Sequence, residues 1–273
     1  MTLRPIRDTR LWVEDTGGPL PPVLFAHGVL WSTALFAPQV QALRGQYRCI
    51  SYDHRGQGRS DDTNEKQVPI EQVYEDMVAL IESLHAGPVH LVGLSMGGFA
   101  AMRVAARRPD LLRSLSVLGT SCDAESWITL PRYRLLNFMA ALFGVRSVAP
   151  RAMQSLFGST ALHDPARATE RAAWFEAIAN NRRTIVRAMR GVMSRRSVAF
   201  ELPGIRVPTL ILVGEEDVAT PPARARRLHA LIAGSELRVI PRAGHSAPVE
   251  EPAAVTAALA VFFRGISGAP FVA

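Results

Sequence analysis

The chain is short of several residue types and patterns, and each shortage removes a class of protein. Its 273 residues include two cysteines, Cys49 and Cys122, too few and too far apart for a disulfide framework or a thiolate metal cluster. A reducing, cytoplasmic setting fits that usage. No stretch approaches the roughly 20 consecutive apolar residues that span a bilayer, and the opening MTLRPIRDTRLWVEDTGG lacks the apolar run of a signal peptide; no membrane partner is expected. HExxH, paired-cysteine and clustered acidic motifs are missing too, so no metal is expected. Lysine occurs once, at Lys66, and basic charge therefore rests on arginine.

That charge is local. The formal net charge is +7, and the stretch from Asp123 to Phe200, with twelve arginines against five acidic residues, accounts for all of it. A cationic surface attracts anionic substrates or nucleic acid. These arginines, however, are spread along amphipathic helical patterns rather than clustered with aromatics, which reads as a solvated face and gives no nucleic-acid partner. A carboxylated substrate is the alternative use for them.

What is present is an alternation. Val23–Ala26, Tyr47–Tyr52, Val89–Leu94, Leu115–Leu118, Leu210–Val213 and Glu236–Ile240 are short apolar runs of strand length, the pattern of strands buried on both faces of a parallel sheet. Helical periodicity lies between them over Ile70–Leu84 and Phe99–Ala106, and proline opens two more helical stretches, Pro221–Ile232 and Pro252–Phe263. Arg10–Glu14 reads as an extra strand at the sheet edge. The order predicts an α/β fold with a mostly parallel, doubly wound sheet. Between Ser121 and Pro203 the alternation stops, and helical patterns around Tyr133–Phe143, Ala166–Ile178 and Thr184–Met193 take over. The expected organisation is a core of residues 1–121 and 204–273, with 122–203 inserted as a helical cap.

The sharpest chemical signal is VHLVGLSMGG, in which Gly93, Ser95 and Gly97 form Gly-x-Ser-x-Gly between an apolar strand and a helix. This is a nucleophile elbow: the serine sits on a tight, strained turn that only small residues two positions to either side permit. The helix N-terminus behind it offers N–H groups and partial positive charge to a developing anion. A serine hydroxyl needs a base, and the base a carboxylate. GEEDVATPP places Asp217 just past one strand end, and PRAGHSAP places His245 just past the next, where ligands bind in open α/β sheets. Glu215, Glu216 and Asp123 are alternative acids. Backbone N–H groups of Met96 and of Val29 are the candidate oxyanion donors, their side chains being set to touch the acyl group. His27 and His54 read as loop-shaping residues.

HGVLWS at His27, YDHRGQGRSD at Tyr52, GLSMGG at Gly93, PTLILVGEEDVATPP at Pro208 and IPRAGHSAPVEEP at Ile240 together resemble the α/β-hydrolase superfamily. The branch of 3-oxoadipate enol-lactonases, cofactor-free haloperoxidase-like esterases and acyl-homoserine lactonases is the most similar. The resemblance implies the α/β-hydrolase fold, the triad Ser95, Asp217 and His245, and a structural role for Asp53, Arg55 and Gly58. A serine at position 95, where dehalogenases and epoxide hydrolases carry aspartate, turns the expectation to carboxylic esters and lactones, cleaved through an acyl-enzyme without a cofactor. Leu30, Trp31, Trp127, Phe138 and Trp174, with Met139, Phe143 and Phe175, are the candidate substrate-binding residues. The alternatives are perhydrolysis by the same acyl-enzyme, or a ligand receptor of this fold with little turnover.

Overall fold

The central apolar runs stack side by side because each buries both of its faces, while the Glu236–Ile240 run closes one edge with only Ile240 buried. The computed structural model describes residues 1–267, and among these eight strands form one sheet in the order β1-β2-β4-β3-β5-β6-β7-β8. The strands are β1 Thr2–Ile6, β2 Thr9–Asp15, β3 Pro22–Ala26, β4 Arg48–Tyr52, β5 Val89–Leu94, β6 Leu112–Leu118, β7 Thr209–Gly214 and β8 Glu236–Ile240. From β4 to β8 all pairings are parallel; β2 runs antiparallel to β4 and to β1. The strand expected at Arg10–Glu14 is β2, but the sheet edge belongs to β1, of which only Ile6 is buried.

Side chains alternate across the sheet, as the two-residue period of a strand requires. Leu24, Ala26 and Leu91 join one core with α2 (Ile70–Ser83), α3 (Met96–Arg107) and α9 (Pro222–Leu231). Val23, Phe25 and Val92 face the other core, covered by α1 (Ala37–Leu43) and α11 (Pro252–Ser267), with the short α10 (Ala247–Glu250) ahead of it. Both cysteines are buried and free. Among the described residues no helix is long and apolar enough to cross a membrane.

Between β6 and β7 the chain is helical: α4 Leu130–Phe143, α5 Ala149–Leu156, α6 Ser159–His163, α7 Ala168–Ala179 and α8 Ile185–Met193. Helices α4, α7 and α8 match the expected ones; α5 and α6 are too short to leave a periodic signature. Residues 268–273, the end of the expected core segment, lie outside the described residues.

Close backbone packing sets the position of the elbow. A β-carbon on Gly93 would stand 2.7 Å from the Gly97 backbone, and one on Gly97 would collide with the Ala26 carbonyl of β3. The absence of side chains at these two positions lets α3 begin directly against the sheet. Gly97→Ala should therefore destabilise the fold by about 3 kcal/mol, the upper range for overpacking. Gly45→Ala, with nothing within 4 Å, should change stability little. Urea unfolding midpoints of the two variants check the contrast.

Candidate active site

Ser95 joins β5 to α3 with φ 51° and ψ −110°, a backbone conformation that costs energy outside glycine. Three hydrogen bonds hold it. Its N–H donates to Leu118 O at 2.9 Å, and its carbonyl accepts from the Phe99 N–H at 2.8 Å and the Thr120 hydroxyl at 3.0 Å. The serine lines a cavity together with Val29, Leu30, Thr220 and His245.

His245 and Asp217 arrive from the loops after β8 and β7. His245 Nδ1 donates to Asp217 Oδ2 at 2.9 Å, and both residues are almost wholly buried. Thr220 steadies the carboxylate, donating its N–H to Oδ1 and its hydroxyl to Oδ2, each at 2.8 Å. With Nδ1 turned to a carboxylate, Nε2 is left as the basic nitrogen. Burial alone pulls the imidazole pKa down, but the Asp217 charge and hydrogen bond, and the more weakly acting Glu250, outweigh it and the net shift is upward.

The other acids considered from the sequence are engaged elsewhere. Glu216 accepts from Thr160 N and Oγ1 at 2.8 and 2.5 Å, Glu215 from the Arg242 N–H at 3.3 Å, and Asp123 pairs with Arg224 at 2.6 Å and Arg227 at 3.1 Å. His54 meets no charged partner among the described residues; its backbone N–H donates to His27 Nε2 at 3.0 Å, its ring bonds His27 O at 2.9 Å, and the two rings brace the loop that carries Val29. Asp53 accepts the Thr33 and Arg59 N–H groups at 2.7 Å, and Arg55 is held by Asp76 at 2.6 Å and Asp8 at 2.8 Å.

Sequence reasoning did not pick out Glu250. Its Oε2 accepts the Gly158 N–H at 2.7 Å and the Gly244 N–H at 3.0 Å, tying the turn between α5 and α6 to the residue before His245. Burial pushes its carboxyl up to about 7, although those two N–H groups and the His245 charge oppose the rise. Only long-range contacts identify this residue; EEP gives no local cue.

The cavity encloses about 1020 Å³ of empty space, part of it open to solvent, and its walls are mostly apolar. Several expected substrate contacts lie elsewhere. Leu30 is on the wall, with φ 71°. Trp31 is instead buried, donating to Ser246 Oγ at 3.1 Å, and it borders a separate depression. Trp127 is 81% exposed and away from the cavity; Phe138 is 58% exposed on the outer side of α4. Trp174 stacks on Phe157 with ring centroids 4.7 Å apart. Met96 places its side chain beneath the site, where Gln57 Nε2 donates to its sulfur at 3.7 Å, and not on the wall. Much of the wall comes from the inner faces of two helices, Leu136, Asn137 and Ala140 of α4 and Ile185, Met189 and Val192 of α8, with Ala152 and Leu156 of α5 beside them. Three- and four-residue spacing was the signal for them, and selecting aromatics passed it over.

Comparison with known proteins accords with this geometry. The family model for the alpha/beta hydrolase fold matches residues 21–252. The chain is 28% identical to a thermophilic esterase of Thermogutta terrifontis, with a TM-score of 0.86 over 94% of each chain. It is 29% identical to the (R)-3-hydroxydecanoyl-ACP:CoA transacylase of Pseudomonas aeruginosa over 90% of this chain and 82% of that one. An enol-lactonase from Burkholderia xenovorans LB400 shares the fold, with a TM-score of 0.89 at 24% identity, covering 96% of this chain and 100% of the other. The chain belongs to the α/β-hydrolase fold family.

A buried carboxyl raised from 4.5 to about 7 makes stability pH-dependent. The folded state holds this proton more tightly than the unfolded chain does, so stability is lost as pH rises from 4.5 through 7. The loss saturates at about 3 kcal/mol. Glu250→Gln keeps an oxygen acceptor and removes this titration, so unfolding free energies measured at about pH 5 and pH 8 should differ by less in the variant than in the wild type.

Proposed function

We propose that the chain is a serine hydrolase of carboxylic esters or lactones with a medium-sized apolar acyl group, residues 122–203 forming its cap. The observation that carries this reading is the buried Asp217–His245 pair, 2.9 Å apart, at one cavity with Ser95. Similarity to an esterase supports it.

In the proposed reaction Ser95 Oγ attacks the ester carbonyl carbon as His245 Nε2 takes the hydroxyl proton. Asp217 orients the imidazole and stabilises its positive charge. The N–H groups of Met96 and Val29 receive the oxyanion. Met96 heads α3, where first-turn N–H groups have no partner within the helix, and losing one such donor costs about 3 to 4 kcal/mol of transition-state stabilisation. Collapse of the tetrahedral intermediate breaks the ester C–O bond, and the alkoxide leaves with the proton from His245; in a lactone it stays tethered to the acyl group. Water, deprotonated by the same histidine, then releases the acid and restores Ser95. No cofactor is needed for any step.

Ser95→Ala should lower ester hydrolysis at least a thousandfold, as followed by pH-stat across short esters, long esters and lactones; a variant keeping a few per cent of the wild-type rate overturns the assignment. The base must be neutral to act, so activity should fall on acidification, with an apparent pKa above the ordinary histidine value of 6.5. Asp217→Asn leaves burial opposed only by the weaker pull of Glu250 on the imidazole. It should move that acid limb to lower pH and lower kcat by about 10³- to 10⁴-fold.

A further inference from the structure

Helix α4 is apolar on two opposite sides, and between them it carries charge. Tyr133, Leu136, Asn137 and Ala140 face the catalytic cavity, whereas Leu135, Phe138 and Leu142 are more than half exposed. On one flank Arg134 and Phe138 join Gln67, Arg190, Met193 and Ser194 around a second space, a groove of about 740 Å³ open to solvent between α4 and α8. Asn137 and Met193 border both spaces, so these two side chains stand between the groove and the catalytic cavity.

The groove is cationic, with no acid on its walls. Neighbouring arginines are neutralised: Arg195 by Glu125 at 2.8 Å, Arg187 by Asp62 at 3.7 Å, Arg107 by Glu71 and Glu201 at 2.6 Å. Arg134 makes no hydrogen bond or ion pair among the described residues, and Arg190 donates to the Lys66 carbonyl at 2.9 Å but meets no carboxylate. The boundary between the two spaces holds an independent sign of a ligand. Asn137 is 93% buried, as its 7% exposure gives, and its Oδ1 has no hydrogen-bond partner. Buried polar atoms are rarely left so; the free oxygen accepts only from a donor, and the carboxamide turned end for end presents its N–H₂ to an anion.

We propose that this groove is a subsite for an anionic oxygen group, carboxylate or phosphate, borne on the far end of a substrate whose ester lies at Ser95, the linking chain passing Asn137. Guanidinium forks suit both anions. The inference rests on the reading of Ser95 as nucleophile for its orientation, but not for the existence of the anion site.

Titration calorimetry on Ser95→Ala, which binds without turnover, separates the two. The probes are ethyl esters of alkanoic acids of about six to twelve carbons ending in methyl, carboxylate or phosphate. At low salt, esters ending in one or both anions should bind at least tenfold more tightly than methyl-ended esters of equal length. That advantage should shrink as salt rises and vanish in Arg134→Gln/Arg190→Gln made in the same background, while Arg134→Lys keeps part of it. A general packing defect would weaken all three series together. Equal binding of charged and neutral esters, or an advantage that survives the double substitution, overturns the subsite. Anion-dependent binding in a protein whose wild type hydrolyses none of the esters supports the subsite and overturns the proposed activity instead.

Discussion

Everything at the site depends on how closely the start of α3 approaches the sheet. Because Gly93 and Gly97 present no side chain, backbone meets backbone where strand β5 turns into helix, and Ser95 is carried into a left-handed conformation at φ 51°. The strain is offset by three hydrogen bonds that tie its peptide groups to Leu118, Phe99 and Thr120. The result is a hydroxyl on a fixed backbone at the carboxyl end of a parallel sheet, with the N-terminal N–H groups of a helix behind it. A looser turn would leave Asp217 and His245 with nothing to converge on.

A second layer of organisation is polar and buried. Asp217 satisfies His245 and Thr220 at once; Glu216, beside Asp217, reaches the start of α6, and Glu250, at the end of α10, reaches the turn between α5 and α6. Groups like these are costly to desolvate and costlier to leave unpaired, so they define which position of the helical layer is compatible with a formed site. The apolar walls then act as filler of suitable shape, whereas the carboxylates fix where the layer sits.

How legible was this in the sequence? The core strands and the elbow were readable because their determinants are local: apolar runs of strand length, glycines two residues either side of a serine, and an acid and a histidine just past strand ends. Strand β1 was not, since a mostly exposed edge strand with one buried residue, Ile6, has no two-sided apolar signature. The pocket was misread where residue type was taken for position. Trp127 and Phe138 face solvent and Trp174 stacks on Phe157, while small and aliphatic residues one turn apart on α4 and α8 make much of the wall. Glu250 and Asn137 were invisible for a different reason: one is defined by a partner 92 residues away, the other by having none.

The bond from Gly158 to Glu250 also has a meaning in time. During synthesis the turn at Gly158 is made long before the carboxylate that fastens it exists, since 92 residues separate the two groups. At ribosomal rates of about 5–20 residues per second the gap is roughly 5–20 s. Throughout that interval the turn between α5 and α6 lacks its anchor. That turn is thus fastened only after the last strand of the sheet has emerged, so the helical layer settles into place late in synthesis.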